Sequence, residues 1–317
     1  MNSKRQKLVS DRNKGEFWKP CPGTTGGYLC CGYQIITPLT GCGMYCNYCI
    51  LQVYLEHQHQ TVYENFNDLE NELKTKLKQN NSVLRFGTGE FADSLYLENT
   101  LGVSKKVAAL LEPYKNVLIE FKTKSTNIDT LGEIKTPRKV VIGFSLNTQS
   151  MVSKLEEGTA SIEERLRAAR KCEEMGFNLA FHFDPMIWYD GWEKEYREVV
   201  RMLFSHIKNP QKIAWCSMGG FRSMPALKHH LKKSGKHLSL FAAEMITGID
   251  GKLRYPRPCR VSFYRAMKDE FEKHYPDITL YMCMESPEVW RSSGMIDRIP
   301  RGLKMYLDER ASGILGI

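Results

Sequence analysis

Long hydrophobic runs are missing from this 317-residue chain. No stretch reaches the roughly 18 uncharged apolar residues of a bilayer span, so we expect no membrane partner. Glycine and proline, at 24 and 13 residues, are too few for a collagen-like or low-complexity chain, and 42% of the residues are hydrophobic. The first twenty residues are too polar for a signal peptide. The sequence therefore predicts a folded, cytoplasmic protein.

Charge is absent from residues 20–55. In a reducing cytoplasm, clustered thiols are better explained by metal binding or redox chemistry than by disulfides. This uncharged segment holds six of the ten cysteines, namely Cys21, Cys30, Cys31, Cys42, Cys46 and Cys49. We therefore expect a metal or redox site here.

Positive charge is concentrated near the other end of the chain. The formal net charge is +9, and residues 221–268 alone hold eleven lysines and arginines against two acidic residues. A patch of this kind is typical of a protein that binds a phosphate-rich partner. A solvated surface is the alternative, and it is the commoner meaning of a charge run.

Short apolar strands alternate with amphipathic helices through the middle of the chain, which indicates a parallel sheet built from β-α units. The helix after Ser161 shows the pattern well, since Ser161 and Glu164 form a capping box ahead of a buried stripe that includes Cys172. Six strands are predicted, at residues 34–37, 83–87, 117–122, 140–146, 179–184 and 213–217. Six such units favour an incomplete α/β barrel, with a doubly wound open sheet as the alternative.

Cys42, Cys46 and Cys49 stand at the spacing C-x3-C-x2-C just after the first predicted strand. Structural zinc takes four protein ligands, whereas three thiolates on a four-iron cluster leave one iron open to a reactant. Zinc with a distant fourth ligand from Cys30, Cys31 or a histidine remains the alternative.

The cysteine triplet, with Tyr48 before its last member, resembles the motif of the radical S-adenosylmethionine (SAM) enzymes. The further segments LRFGTGEFADSL, FKTKS, FSLNTQ, LEEGTASIEERLRAARK and YMCMESPEVW are similar to the spore photoproduct lyase family. The resemblance covers most of residues 38–290. It implies a partial (β/α)6 barrel, a four-iron four-sulfur (4Fe-4S) cluster, and reductive cleavage of SAM to a radical that abstracts hydrogen from a thymine dimer in DNA. An electron donor such as flavodoxin or ferredoxin is implied as a partner.

The same resemblance assigns the cofactor site. Cys42, Cys46 and Cys49 would ligate the cluster, and Tyr48 would lie against the adenine of SAM. The glycine-rich turn would meet the SAM amino group, and polar groups after the third and fourth strands would hold its carboxylate. These residues are Gly87, Gly89, Glu90, Lys124 and Ser145.

Two positions depart from the family pattern. Spore photoproduct lyases carry a hydrogen-donating cysteine where this chain has Glu90, and a tyrosine where it has Ile50. A carboxylate does not donate a hydrogen atom as a thiol does. We therefore expect either a damaged pyrimidine in DNA as the substrate, with another donor such as Cys216, or a different substrate such as a peptide or small metabolite.

Other thiols and polar groups have more than one interpretation. Cys21, Cys30 and Cys31 either pack as small apolar residues, which we favour because three thiols are an incomplete ligand set, or ligate a second metal. His182 is expected to be a satisfied core histidine, and Asp184 to point into the barrel.

The C-terminal part is predicted to be a small α+β extension with a basic hairpin around the turn at residues 248–251. The domains expected are an N-terminal segment at 1–37, the barrel at 38–236 and the extension at 237–317. A non-catalytic metal protein that binds nucleic acid through this region is the rival of another class. Aromatic and arginine side chains suited to nucleic acid interleave here, namely Arg254, Tyr255, Arg257 and Arg260. The apolar residues of the hairpin could equally belong to a core.

Overall fold

The computed structural model describes residues 7–23, 26–55, 59–235 and 238–317. Its strands are β1 (Leu8–Asp11), β2 (Trp18–Pro20), β3 (Gln34–Ile36), β4 (Leu39–Thr40), β5 (Tyr45–Cys46), β6 (Gln60–Tyr63), β7 (Leu84–Gly87), β8 (Val117–Thr123), β9 (Val140–Ser145), β10 (Glu156–Glu157), β11 (Asn178–Met186), β12 (Ile213–Gly220), β13 (Arg222–Ser223), β14 (Ile246–Thr247), β15 (Leu253–Arg254) and β16 (Leu280–Met282).

The helices are α1 (Leu51–Tyr54), α2 (Phe66–Leu77), α3 (Glu98–Leu101), α4 (Val103–Leu111), α5 (Gln149–Leu155), α6 (Ile162–Glu174), α7 (Trp192–His206), α8 (Pro225–Lys233), α9 (Arg257–His274), α10 (Pro287–Ser292) and α11 (Leu303–Leu315). Short 3-10 turns lie at Asp129–Glu133, Pro137–Lys139, Pro210–Lys212, Leu238–Phe241 and Ile296–Arg298. Among the described residues, no helix is both long enough and apolar enough to cross a bilayer.

The central element is a curled, eight-stranded half-barrel sheet in the order β16-β12-β11-β9-β8-β7-β3-β2. Seven strands run parallel, and only β2, at the edge, is antiparallel to its neighbour. Every residue of β9 and β12 is buried, as expected for parallel strands covered on both faces. All six predicted strands are present, and the predicted partial barrel is confirmed.

Three smaller sheets surround the barrel. One has the order β1-β6-β4, the second pairs β5 with β10, and the third has the order β13-β15-β14. The large sheet takes β2 and β3 from the expected N-terminal segment and β16 from the expected C-terminal extension. Both ends of the chain therefore contribute to the wall of the barrel.

Helix α6 follows the sequence prediction closely. The Ser161 hydroxyl accepts a hydrogen bond from the Glu164 amide at 3.3 Å, and the Glu164 carboxylate accepts one from the Ser161 amide at 2.7 Å. The apolar stripe that includes Ile162, Leu166 and Cys172 is buried. Cys172 is therefore a core residue, as expected.

The hairpin predicted around residues 248–251 is present, but its strands are only two residues long. Strands β14 and β15 pair antiparallel across a turn in which the Gly251 amide donates to the Gly248 carbonyl at 2.9 Å. The residues after Pro256 form helix α9 instead of continuing a strand. Proline is well suited to the first turn of a helix, where an amide hydrogen is not needed.

Candidate active site

The three cysteines of the triplet lie between β4 and α1 at the mouth of the barrel. Cys46 is buried on β5, and Cys42 and Cys49 are half-buried. The amides of Met44 and Leu51, each two residues further on, donate to the sulfur atoms of Cys42 and Cys49. Burial, followed by nearby charges that include the other two thiols, raises the pKa of Cys46. The three thiols are therefore near enough for their charges to interact.

This donor set fits an iron-sulfur cluster, whose irons are held by cysteine thiolates. Across the described part of the chain, no three histidine, cysteine, aspartate or glutamate side chains form a ready site for a single metal ion. Three thiols at this mouth can hold three irons of a four-iron cluster and leave the fourth open.

Tyr48 is fixed by a buried network. Its hydroxyl donates to Glu156, which also accepts a hydrogen bond from Arg165 at 2.5 Å. Arg165 donates further to the backbone oxygen of Ser145 at 2.9 Å. The Lys124 ammonium lies 5.7 Å from the centre of the Tyr48 ring. The structure thus places Lys124 beside Tyr48 and links Tyr48 to the backbone of Ser145 through Glu156 and Arg165.

Sequence reasoning did not assign roles to Glu156 and Arg165. Their side chains are 1% and 0% exposed, so the pair is fully buried. A signal was present, because Arg165 falls on the same helical face as Ile162 and Ala169 and interrupts the apolar stripe of α6.

The glycine-rich turn after β7 is crowded by two side chains. A methyl group on Gly87 would lie 1.4 Å from the Tyr33 hydroxyl, and one on Gly89 would lie 2.8 Å from Cβ of Lys122. Glycine is therefore required at both positions for close packing. Glu90 faces the Lys122 ammonium at 3.8 Å. The buried Tyr33 hydroxyl has no hydrogen-bond partner among the residues that the structure describes.

A cavity of about 470 Å³ opens beside these groups. Its walls come from the uncharged N-terminal segment, the carboxyl ends of several barrel strands and the hairpin. Parallel barrels carry their chemistry at this end of the strands. The lining includes Cys21, Cys31, Tyr33, Tyr48, Cys49, Tyr54, Glu90, Glu120, Lys122, Asp184, Arg222, Lys252, Tyr281 and Cys283.

Two cations line the part of the cavity formed by β11, β13 and the hairpin. Arg222 donates to both oxygens of Asp184, at 2.8 and 3.1 Å. The Lys252 ammonium lies 3.8 Å from Asp250. Burial, together with the positive charge of Arg222, lowers the pKa of Lys252. These two cations therefore place positive charge on the same part of the cavity wall.

His182 and Asp184, both on β11, are placed as the sequence predicts. His182 is buried, and its ring nitrogens hydrogen-bond to Glu120 and, at 2.6 Å, to Ser217. Asp184 lines the cavity. Ser217 shares the barrel interior with His182, so its neighbour Cys216 is on the opposite face of β12. Cys216 is fully buried, and among the described residues it is not part of the cavity wall.

Of the four residues expected to bind nucleic acid, three are buried and one is exposed. Arg254 is 2% exposed and pairs with Asp250 at 2.5 Å, and Arg260 is 6% exposed and pairs with Glu285 at 2.7 Å. Tyr255 is buried, and its hydroxyl accepts a hydrogen bond from the Trp188 amide. Of this set, Arg257 is the residue that stands exposed, at the start of α9.

Comparison with known proteins gives a consistent result. The family model for spore photoproduct lyase matches residues 31–217. The spore photoproduct lyase of Geobacillus sp. (strain Y412MC61) is 30% identical over 166 residues, which are 52% of this chain and 49% of that protein. That of Bacillus subtilis (strain 168) is 25% identical over 52% of this chain and 48% of that protein. The chain thus spans about half the length of these relatives in its matches to them.

Solved structures show the same fold. A spore photoproduct lyase complexed with dinucleoside spore photoproduct superposes with a TM-score of 0.76 and 22% identity, over 87% of this chain and 82% of that one. Streptococcus suis SuiB bound to S-adenosylmethionine gives a TM-score of 0.52 and 13% identity, over 85% of this chain and 55% of that one. Because the family model matches more than half of its residues, this protein belongs to the spore photoproduct lyase family.

Proposed function

We propose that this protein is a radical SAM enzyme that cleaves SAM reductively and abstracts hydrogen from a damaged pyrimidine in DNA. The observation that most supports this is the cavity, which is lined both by Tyr48 and Cys49 and by the cations Arg222 and Lys252. A cofactor held by the triplet and an anionic substrate would thus share one enclosed space. A solved variant of a spore photoproduct lyase with bound AdoMet and dinucleoside spore photoproduct supports the same pairing of ligands.

The residues that would hold the cofactors follow from their placement. Cys42, Cys46 and Cys49 would ligate the 4Fe-4S cluster. SAM would be held beside Tyr48, Lys124 and Ser145 and the turn at residues 87–90. When bound, the two cofactors supply a carbon-centred radical that abstracts hydrogen from the substrate.

The protein's own contribution is orientation. The hydrogen bond to Glu156 holds the Tyr48 side chain in place at the cavity wall, beside the space that an adenine would occupy. The Lys124 ammonium suits the carboxylate of SAM, and the Glu90 carboxylate suits its ammonium group.

The cavity wall suits a nucleotide lesion. Lys122, Arg222 and Lys252 supply positive charge for a phosphate, and Tyr54 and Tyr281 supply aromatic surface for an unstacked base. Removing a base from the duplex costs a few kcal/mol, and a damaged base costs least. A different substrate, such as a peptide or small metabolite, is favoured by the Glu90 carboxylate in the cavity, where related lyases carry a thiol.

We also infer a cytoplasmic location and an electron donor such as flavodoxin or ferredoxin. A cluster held by free cysteine thiolates suits a reducing compartment.

SAM cleavage tests the proposal. The Cys46→Ala variant, reconstituted anaerobically, should form no 5′-deoxyadenosine with SAM and dithionite. Cys172→Ala is the matched control, because this change also removes a buried thiol, but one that lies on the core-facing side of α6. Full activity in Cys46→Ala would overturn the cluster assignment.

A further inference from the structure

Four thiols outside the triplet gather around the cavity. Cys21, Cys30 and Cys31 belong to the uncharged N-terminal segment, and Cys283 follows β16 some 250 residues later. Cys21, Cys31 and Cys283 all line the cavity, and Cys30 hydrogen-bonds to Cys31. The three N-terminal thiols, an incomplete ligand set by themselves, thus gain a fourth member from the opposite end of the chain.

Backbone contacts hold the two thiol-bearing segments together. The Leu29 amide donates to the Glu285 carbonyl at 3.0 Å, which joins the two segments. Within the N-terminal segment, the Cys21 amide donates to the Tyr33 carbonyl at 3.1 Å. Gly23 packs so closely that a methyl group there would lie 3.2 Å from the Met284 sulfur. The backbone itself therefore holds the two thiol-bearing segments close together.

Each of the four sulfur atoms accepts a hydrogen bond from an N–H group. The Gly23 amide donates to Cys21 at 3.4 Å, the Gly32 amide to Cys30 at 3.3 Å, and the Tyr33 amide to Cys31. The Arg222 guanidinium donates to Cys283 at 3.5 Å. Such donors stabilise a thiolate and are a feature of sulfur ligands in iron-sulfur proteins.

The same backbone arrangement occurs in the triplet. An amide two residues after the cysteine donates to the sulfur of Cys42 and Cys49, as it does at Cys21, Cys30 and Cys31. The two groups of thiols are thus built alike, although they come from different turns of the chain.

Cys21 lies beside the segment that carries Cys283. A methyl group on Gly23 would lie 3.4 Å from the Cys21 sulfur as well as 3.2 Å from the sulfur of Met284, the residue after Cys283. Cys21, Cys31 and Cys283 thus belong to one stretch of the cavity wall.

We propose that Cys21, Cys30, Cys31 and Cys283 hold a second iron-sulfur cluster, with all four irons ligated by the protein. Four cysteine thiolates are the ligand set of such a cluster. Zinc takes the same four ligands, and the sulfide content of the protein separates the two metals. Four thiolates close the cluster, so this site differs from the triplet in leaving no iron open. The site does not depend on the proposed substrate or on SAM cleavage.

Metal analysis of a variant without the first cluster tests the proposal. The triple variant Cys42→Ala/Cys46→Ala/Cys49→Ala, reconstituted anaerobically, should retain about four iron and four sulfide per chain, half of the roughly eight expected in the wild type. Its visible absorption should bleach with dithionite. Loss of all iron and sulfide in this variant would overturn the proposal, and so would zinc bound without sulfide.

The complementary variant removes the second group. Changing Cys21, Cys30, Cys31 and Cys283 to serine should also halve the iron content, whereas Cys259→Ser, a half-buried thiol on α9, should leave it unchanged. An unchanged iron content after the fourfold change would contradict the assignment. If that variant does not fold, the iron and sulfide content of the triple variant still decides.

Discussion

Replacing Arg165 by methionine should destabilise the protein strongly. The change removes a guanidinium that is 0% exposed and pairs with Glu156, itself 1% exposed. It also removes hydrogen bonds to the Ser145 carbonyl at 2.9 Å and the Thr159 hydroxyl at 2.7 Å. Breaking a buried pair leaves an uncompensated charge and costs about 3–5 kcal/mol. That is a large part of the roughly 5–15 kcal/mol by which proteins are stable.

Urea unfolding of the cluster-free protein, held under anaerobic conditions and followed by circular dichroism, measures this cost. Arg167→Met is the matched control, because Arg167 lies on the same helix, is 62% exposed and stands 3.9 Å from Glu163. Its free energy of unfolding should change by less than about 0.5 kcal/mol. If Arg165→Met changed it equally little, the buried network would not stabilise the site as described.

The double variant Glu156→Gln/Arg165→Met separates the pair from its surroundings. Because the glutamine is neutral, no buried charge remains, and the loss should be smaller than the sum of the two single losses by about 0.5–3 kcal/mol. Strict additivity would show that the two side chains act independently.

Three further results are expected. Burial alone would raise the pKa of Glu270, but hydrogen bonds from Lys273 and Arg197 lower this pKa below 4.5. The ionised Glu270 therefore stabilises the protein at neutral pH, and this stabilisation disappears as the pH falls through the lowered pKa. Glu270→Gln should be less stable than the wild type at neutral pH and should lose less stability on acidification, as measured by urea unfolding across pH. Arg257→Ala should weaken binding to an oligonucleotide and reduce the slope of log affinity against log salt concentration by about one. The same change at Arg301, which is 67% exposed, should alter neither. Equal slopes for the two variants would mean that the basic patch is only a solvated surface. Tyr33→Phe should raise the free energy of unfolding by about 1 kcal/mol, because the buried hydroxyl lacks a partner within the described ranges. A lower free energy of unfolding than that of the wild type would mean that the hydroxyl is hydrogen-bonded in solution.

The sequence was informative wherever the signal was local. The parallel strands are continuous apolar runs, and the capping box at Ser161 and Glu164 marks the start of α6, so both were predicted correctly. Helix α9 was missed because its first residues were interpreted as part of a basic hairpin. Pro256, at its N-cap, was the local signal that a helix begins there.

The cavity depends on contacts that are distant in sequence, and these were harder to predict. Cys283 and Arg222 reach the same wall as Cys21 through the pairing of β16 with β12 and of β2 with β3. No periodicity within one segment predicts such a meeting. The burial of Arg254 and Arg260 could not be predicted for the same reason. Their partners, Asp250 and Glu285, reach them only once the hairpin and β16 are folded.

The most direct test of the proposed function is a single anaerobic assay. The reconstituted protein is incubated with SAM and dithionite, with and without an oligonucleotide that carries the spore thymine dimer, and 5′-deoxyadenosine and restored thymines are measured. The account predicts that the dimer stimulates 5′-deoxyadenosine formation and that thymines are restored. Formation of 5′-deoxyadenosine that ignores the dimer, with the lesion left intact, would contradict it and assign the cavity to another substrate.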